Sequence, residues 1–169
     1  MPILHIVGMG VKRIGTQESN MATTEEPNLT RETFGAELTA LEDFLTSFAA
    51  GMGTAFSDRD SLHLTSPGWQ ALGVFHHDLV FRLSLSPREV SEFAAAAGSL
   101  DWSRYNPDWI PKLGQPEIDK FTGLEVTSAD GRKRVSITGA GRSNVQNILD
   151  YVREKTGVAN ALSELAEEA

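Results

Sequence analysis

Residues 66–83 read SPGWQALGVFHHDLVFRL, and the architecture turns on this stretch. Ser66 is a good helix-capping residue, and Pro67 suits the first helical position, where an N–H would find no partner anyway. Trp69, Leu72, Phe75 or His76, Leu79, Val80 and Leu83 then recur at helical spacing. Nearly every turn is apolar on more than one side, as in a helix surrounded by others. The pattern predicts a central helix from Ser66 to Leu83 with a helical core around it.

The flanking sequence supplies the partners. Upstream, Phe34, Leu38, Leu41, Leu45 and Phe48 are spaced four, three, four and three apart, which places them on one helical stripe. Thr30 is the expected cap, Glu32 sits in the first turn where the helix dipole favours negative charge, and Gly51 and Gly53 are the expected stop. Glu37, Glu42 and Asp43 mark the solvated face. Downstream, Ser86 and Glu89 have capping-box spacing before Val90, Phe93, Ala94 and Ala97, and Gly98 ends that helix. Residues 99–121 read as an ordered loop rich in Trp and Pro. Leu124–Thr127 and Arg134–Ile137 flank Asp130-Gly131, a favoured tight-turn pair, so a β-hairpin is expected at about residues 122–138. Ser143 and Gln146 suggest another capping box for a last helix carrying Val145, Ile148, Leu149 and Val152 and closed by Gly157. Residues 1–28 read as an irregular or partly disordered lead-in, with a short strand at Leu4–Val7, and residues 159–169 as a fraying acidic tail. The fold class is thus mainly helical α+β. The expected domain spans residues 29–158, with three to four core helices, a small hairpin and a Trp-anchored loop.

Composition bounds the function without naming it. The chain has 169 residues, 15 Lys+Arg against 23 Asp+Glu, and a formal charge of −8. Having no cysteine, it has no disulfide, thiolate metal site or cysteine nucleophile. No apolar run approaches the ~18 residues of a membrane helix, and Met1–Val7 lacks the basic start of a signal peptide. A cytoplasmic protein with no cofactor is expected. The charge is uneven. Residues 101–156 hold nine Lys/Arg against eight Asp/Glu, leaving six against fifteen elsewhere. That excludes a uniformly basic nucleic-acid coat and leaves room for a local basic patch formed by Arg104, Arg132, Lys133, Arg134 and Arg142. Lysines and arginines of such a patch displace counterions from DNA phosphates, and Arg can fork onto phosphate or guanine. The alternative is a solvated hairpin tip.

Other candidate chemistry is weaker. Adjacent helical residues point about 100° apart, so His76 and His77 cannot ligate one metal from one face, and zinc helices space their histidines four apart. No metal site is expected. Gly8-Met9-Gly10 lacks the third glycine of a dinucleotide fingerprint, with Arg13 in its place. Gly139-Ala140-Gly141-Arg142-Ser143 lacks the phosphate-loop lysine; it is either a flexible helix entry or an anion contact at a helix N-terminus. A hydrolase built on His76, His77 or His63 with Asp78 would need a nucleophile, a base and an orienting group, and the sequence offers no such set.

The most specific stretch is Asp101-Trp102-Ser103-Arg104-Tyr105-Asn106-Pro107-Asp108-Trp109. Asp101 and Asn106 can close Asx turns, and either Trp can lock the loop to the core or take Arg104 on its face. The pattern Asp-Trp-Ser-Arg-x-Asn-x-x-Trp resembles the C-terminal part of the DndB, or DGQHR-domain, family associated with DNA sulfur modification. Leu62-His63-Leu64-Thr65 with Gln70-Ala71-Leu72-Gly73 upstream resembles that family's approach to the motif. Ser143-Asn144-Val145, Ile148 through Thr156-Gly157-Val158, and Leu162, Ser163 and Leu165 downstream resemble its closing helix and tail. The likeness covers roughly residues 60–165. The Asp-Gly-Gln-His-Arg signature itself is absent, Lys112 follows the second Trp two places later than in the family, and residues 113–138 form a longer insertion. The chain is therefore expected to correspond to the C-terminal half of such a protein, as a stand-alone relative, a truncated product or a fragment. The resemblance implies a DNA-binding regulator of transcription, or an accessory subunit, in a prokaryotic phosphorothioation and defence system. Its partners would be DNA, through a localised contact, or other sulfur-modification proteins, with homo-oligomerisation possible and no membrane. Arg104, Arg132, Lys133, Arg134 and Arg142 would contact DNA, with Asp101, Trp102, Ser103, Asn106 and Trp109 shaping the loop and no catalytic residues. The alternatives are a protein-interaction module of that system and, last, the histidine hydrolase.

Overall fold

The computed structural model describes residues 31–137 and 141–167. The lead-in, the Thr30 cap, the two Gly-x-Gly glycines at 8 and 10, and residues 139 and 140 lie outside the described residues, as does the end of the tail. Among the described residues six α-helices follow in chain order: α1 Arg31–Met52, α2 Ser66–His77, α3 Pro87–Gly98, α4 Trp109–Leu113, α5 Arg142–Thr156 and α6 Val158–Glu167. The protein is mainly helical, with one hydrophobic core.

The central helix is α2, nine of whose twelve residues are buried. Its cap is Thr65, one residue earlier than expected. Thr65 is extended, and its Oγ1 accepts a hydrogen bond from Gly68 N at 3.2 Å, placing Ser66 and Pro67 inside the first turn. Gly68 is needed there, because a Cβ would meet the Leu62 carbonyl oxygen at 2.2 Å. The helix does not run evenly to Leu83. Asp78–Arg82 forms a π-helical turn, closed by Leu83 N on Asp78 O at 2.9 Å. The same Asp78 carboxylate is buried and receives Arg153 of α5 at 2.8 and 2.5 Å and Arg82 at 3.2 Å. A buried carboxylate needs such partners, and this one ties α2 to α5, the helix against which it packs.

Helices α1 and α3 form the second packed pair. The buried face of α1 is Leu41, Phe44, Phe48 and Met52; Phe34 and Leu38, on the expected stripe, are only half-buried. Gly51 is not a stop but a contact point inside the helix, which ends beside Gly53 at φ 56°. A Cβ on Gly51 would stand 2.2 Å from the Ala95 carbonyl oxygen, and one on Gly98 would stand 2.1 Å from that of Phe48. The two backbones therefore touch, and Ala94 and Ala97 continue the small-residue seam at zero exposure. The Ser86–Glu89 capping box forms as the sequence indicates. The one expected at Ser143 does not: α5 starts a residue earlier, at Arg142 after Gly141, with no side-chain cap. Gly157, left-handed at φ 81°, closes α5, and the chain turns directly into α6. Residues 158–167 are thus helical rather than frayed, because Val158 and Leu162 are buried in the core.

The expected β-hairpin is not present. Among the described residues there are isolated bridges and no strands or sheet. Tracts 115–119, 124–128 and 132–136 meet through the antiparallel bridges Pro116–Val135, Ile118–Glu125 and Thr127–Lys133. Three tracts lying side by side cannot all be antiparallel to one another, so each pair crosses and no ladder extends. At the crossing the backbone closes a ring: Val126 N donates to Glu117 O, Glu117 N to Arg134 O and Arg134 N to Val126 O, at 2.7–2.9 Å. The tight turn does form at 128–131, where Gly131 adopts φ 83° and its N–H reaches Ser128 O at 2.9 Å.

The close helix crossing makes a signed prediction. Gly98→Ala and Gly51→Ala should lower stability by about 2 kcal/mol or more, despite alanine's ~1 kcal/mol advantage in helices, because the Cβ has no room. Gly35→Ala, at an exposed α1 position where an added methyl would meet nothing within 4 Å, should instead be neutral or stabilising; urea unfolding of the three variants checks the contrast.

A second prediction concerns acid. His76 is buried against the Phe44 ring, and desolvation, reinforced by neighbouring His77, pulls its pKa down to about 4. Unfolded chains take that proton near pH ~6.5, so stability should fall as pH drops from about 6.5 towards 4, by an amount on the order of 3 kcal/mol. Buried His63, also lowered by burial, acts in the same direction. His76→Leu should flatten the slope between those pH values in pH-resolved denaturation; an unchanged slope would show that His76 does not carry it.

Candidate functional site

The loop from Asp101 to Trp109 is built from both kinds of local device that its sequence suggests. Asp101 Oδ1 accepts from Ser103 N at 2.9 Å, and Asn106 Oδ1 accepts from Asp108 N at 3.1 Å, giving two Asx turns. Asn106 Nδ2 donates back to Asp101 O at 2.8 Å and across to the Tyr151 hydroxyl of α5 at 3.3 Å. Trp102 and Trp109 are both buried. Trp102 donates from Nε1 to Ala97 O at 2.8 Å and meets Phe48 edge-on at 5.5 Å, while Trp109 lies 4.2 Å from the Tyr151 ring. Neither ring is open to a ligand; the motif is an anchor.

The anchor holds the three-tract junction. Leu62 N donates to Trp102 O and Arg104 N to Asp60 O, both at 2.8 Å, and Val135 N donates to Arg104 O at 2.8 Å. Val135 is itself fully buried. The Arg104 guanidinium donates to Val135 O at 2.8 Å and to Glu117 at 2.5 Å, while Arg134 pairs with the other Glu117 oxygen at 3.2 Å and with Asp60. Burial, with Arg134 alongside, pulls the Arg104 pKa below its ordinary value, and Glu117 and Asp60 oppose the shift.

The five basic residues of the expected patch therefore divide. Arg104 and Arg134 come together over Glu117, with only 16% and 20% of their side chains exposed, and act as clamps on the junction. Arg132 and Lys133 are exposed and pair on the surface with Asp130 at 2.7 Å and Glu125 at 2.9 Å. Arg142 is exposed in the first turn of α5 and makes no ion pair among the described residues. Lys120, beside the junction, is exposed and likewise has no ion pair among them.

One surface feature has no counterpart among the sequence-based expectations. Between Ile118 and Leu124 the chain projects as an arm with Phe121 98%, Leu124 69% and Ile118 52% exposed. The sequence reading divides it between the end of the 99–121 loop and the expected hairpin strand at Leu124, because a turn has no hydrophobic period; Asp119 and Gly123 around Phe121 are the signal that marks it.

The described histidines each pack against aromatic rings, His76 on Phe44 and His77 on Phe81. His63 sits in a cage of Phe48, Phe56 and Trp102, with Nε2 at 3.0 Å from Phe56 O and Nδ1 at 2.6 Å from Ser61 Oγ. With Nε2 donating to the carbonyl, the Ser61 hydroxyl donates to Nδ1, and both residues are buried as a structural lock. Asp78 is engaged by Arg153 and Arg82. Among the described residues no three His, Asp or Glu side chains are grouped to hold a metal ion. No helix of the described residues is long and apolar enough to cross a membrane. A small cavity of about 180 Å³ between Asp58, Gly98, Asp101 and Trp102 is smaller than usual ligand pockets. Comparisons with protein-family models, with curated proteins and with solved structures gave no match.

The clamp can be tested directly. Glu117→Ala leaves two half-buried guanidinium groups facing each other without their shared carboxylate, and should cost about 2–3 kcal/mol. Arg132→Ala, which breaks only an exposed pair, should cost less than about 1 kcal/mol. Thermal unfolding of both variants provides the comparison.

Proposed function

We propose that the chain is a DNA-binding regulator or accessory subunit of a prokaryotic DNA phosphorothioation system. The observation that carries this reading is the placement of the Asp101–Trp109 motif, on which the resemblance to the DndB family rests. Its Asp, Asn and two Trp residues each have a distinct structural task in the loop, which supports reading the motif as one element. That element in turn holds a projection bearing the exposed cations Lys120, Arg132 and Lys133. Direct DNA contact falls to these and to Arg142, while Arg104 and Arg134 serve the fold. A cytoplasmic location goes with this reading.

A second reading, a protein-interaction module of the same system, is favoured by the net charge of −8 and by the internal neutralisation of Arg104 and Arg134. Salt-titrated binding to a labelled duplex separates the two. Arg132→Glu with Lys133→Glu should weaken binding and reduce the slope of log affinity against log salt by about one for each phosphate no longer engaged. If affinity and slope are unchanged, the cations do not touch DNA. A monomeric chain that binds no duplex at low salt but co-purifies with a partner protein is the interaction module.

A further inference from the structure

The arm from Ile118 to Leu124 carries an apolar surface that the core does not use. We infer that it is a DNA-deforming wedge, in which Phe121 inserts between stacked base pairs while Lys120 and Lys133 meet the flanking phosphates. This rests on the DNA-binding reading above and names the side chain that would act on the duplex.

The first support is rigidity. The Asp119 carboxylate accepts Phe121 N at 2.9 Å, Thr122 N at 2.8 Å and the Thr122 hydroxyl at 3.0 Å. Gly123, at φ 70°, donates its N–H to Asp119 O at 2.9 Å, and Asp119 N donates to Leu124 O at 2.8 Å. A tip this closely bonded fixes the backbone on both sides of Phe121, whose ring stands in solvent, so much of the backbone ordering that insertion requires is already in place. The second is charge. Lys120 adjoins Phe121 and makes no ion pair among the described residues, and Lys133 holds Glu125 only in a half-exposed pair that a phosphate can displace. The three bonds to the loop fall on one oxygen of the Asp119 carboxylate. The third is size. A specific protein interface buries about 800 Å² per partner, far more than three side chains provide, whereas DNA wedges use one or two apolar residues beside cations.

The test compares the full chain and its Phe121→Ala variant on a labelled duplex of about 25 base pairs and on the same duplex with one mismatched pair, at low salt. A mismatch lowers the cost of unstacking, so the wild type should bind the mismatched duplex roughly tenfold tighter. Phe121→Ala should bind the matched duplex nearly as well and lose that preference, and Phe121→Trp should restore it. Because Phe121 is 98% exposed, coincident melting curves confirm that the variants are folded. A wild type without the preference, or an alanine variant that keeps it, overturns the wedge while leaving the DNA reading in place. Absence of binding to either duplex overturns both. Phe121-dependent binding to phosphatidylserine vesicles in place of DNA would assign the arm to a bilayer and overturn the wedge.

Discussion

Trp102 joins more of the structure than any neighbouring residue. Its indole N–H satisfies the Ala97 carbonyl in the last turn of α3, its ring packs on Phe48 of α1, and its carbonyl takes the N–H of Leu62 just ahead of α2. The crossing of α1 and α3 is formed by Gly51, Ala94, Ala97 and Gly98, and this small-residue seam leaves a space at its end. The indole closes that end and spans to Trp109 at 6.2 Å, whose ring continues onto Tyr151 of α5. An aromatic chain thus runs from the α1–α3 pair to the α2–α5 pair. Fully burying so large a side chain stabilises by about 2–3 kcal/mol, and here it also sets the register of the chain beyond Asp101.

At the junction, electrostatics replaces sheet pairing. The three tracts meet pairwise in single antiparallel bridges, with two backbone hydrogen bonds to each pair, and because each pair crosses none extends into a ladder. Glu117 and Arg134 lie on the hydrogen-bonded ring at the crossing, and Arg104 reaches it from the motif loop. Their side chains, with Asp60, supply the bonds that a ladder would have made. Two guanidinium groups at such close quarters are tolerated because Glu117 bridges them and the Val135 carbonyl accepts from Arg104.

The helical part of this arrangement is legible in the sequence because its determinants are local. Ser86 and Glu89 stand one turn apart, Asp101 and Ser103 two residues apart, and the burial of α2 follows from its own apolar pattern. The junction is not legible. Arg134 finds Asp60 at a separation of 74 residues and Glu117 at 17, and no spacing rule connects them. Read alone, Arg132-Lys133-Arg134 looks like one basic run, yet the extended backbone points alternate residues to opposite sides. The middle side chain goes to the surface with Glu125 and the third turns inward. The Asp130-Gly131 turn forms as expected, but the hairpin around it does not, because tract 115–119 competes for the same backbone groups.

The same division shapes how an acidic chain can meet a polyanion. Outside residues 101–156 the chain carries six basic residues against fifteen acidic ones, so close approach of the helical body to DNA is unfavourable. Screening limits that repulsion to a distance of about 8–10 Å at physiological salt. A projecting arm gains contact while the body stays away, and a flat patch of the same cations on the body would not. Added salt then weakens two opposed terms together, attraction at the arm and repulsion from the body. The salt dependence of binding should accordingly be shallower than the number of phosphate contacts alone would give.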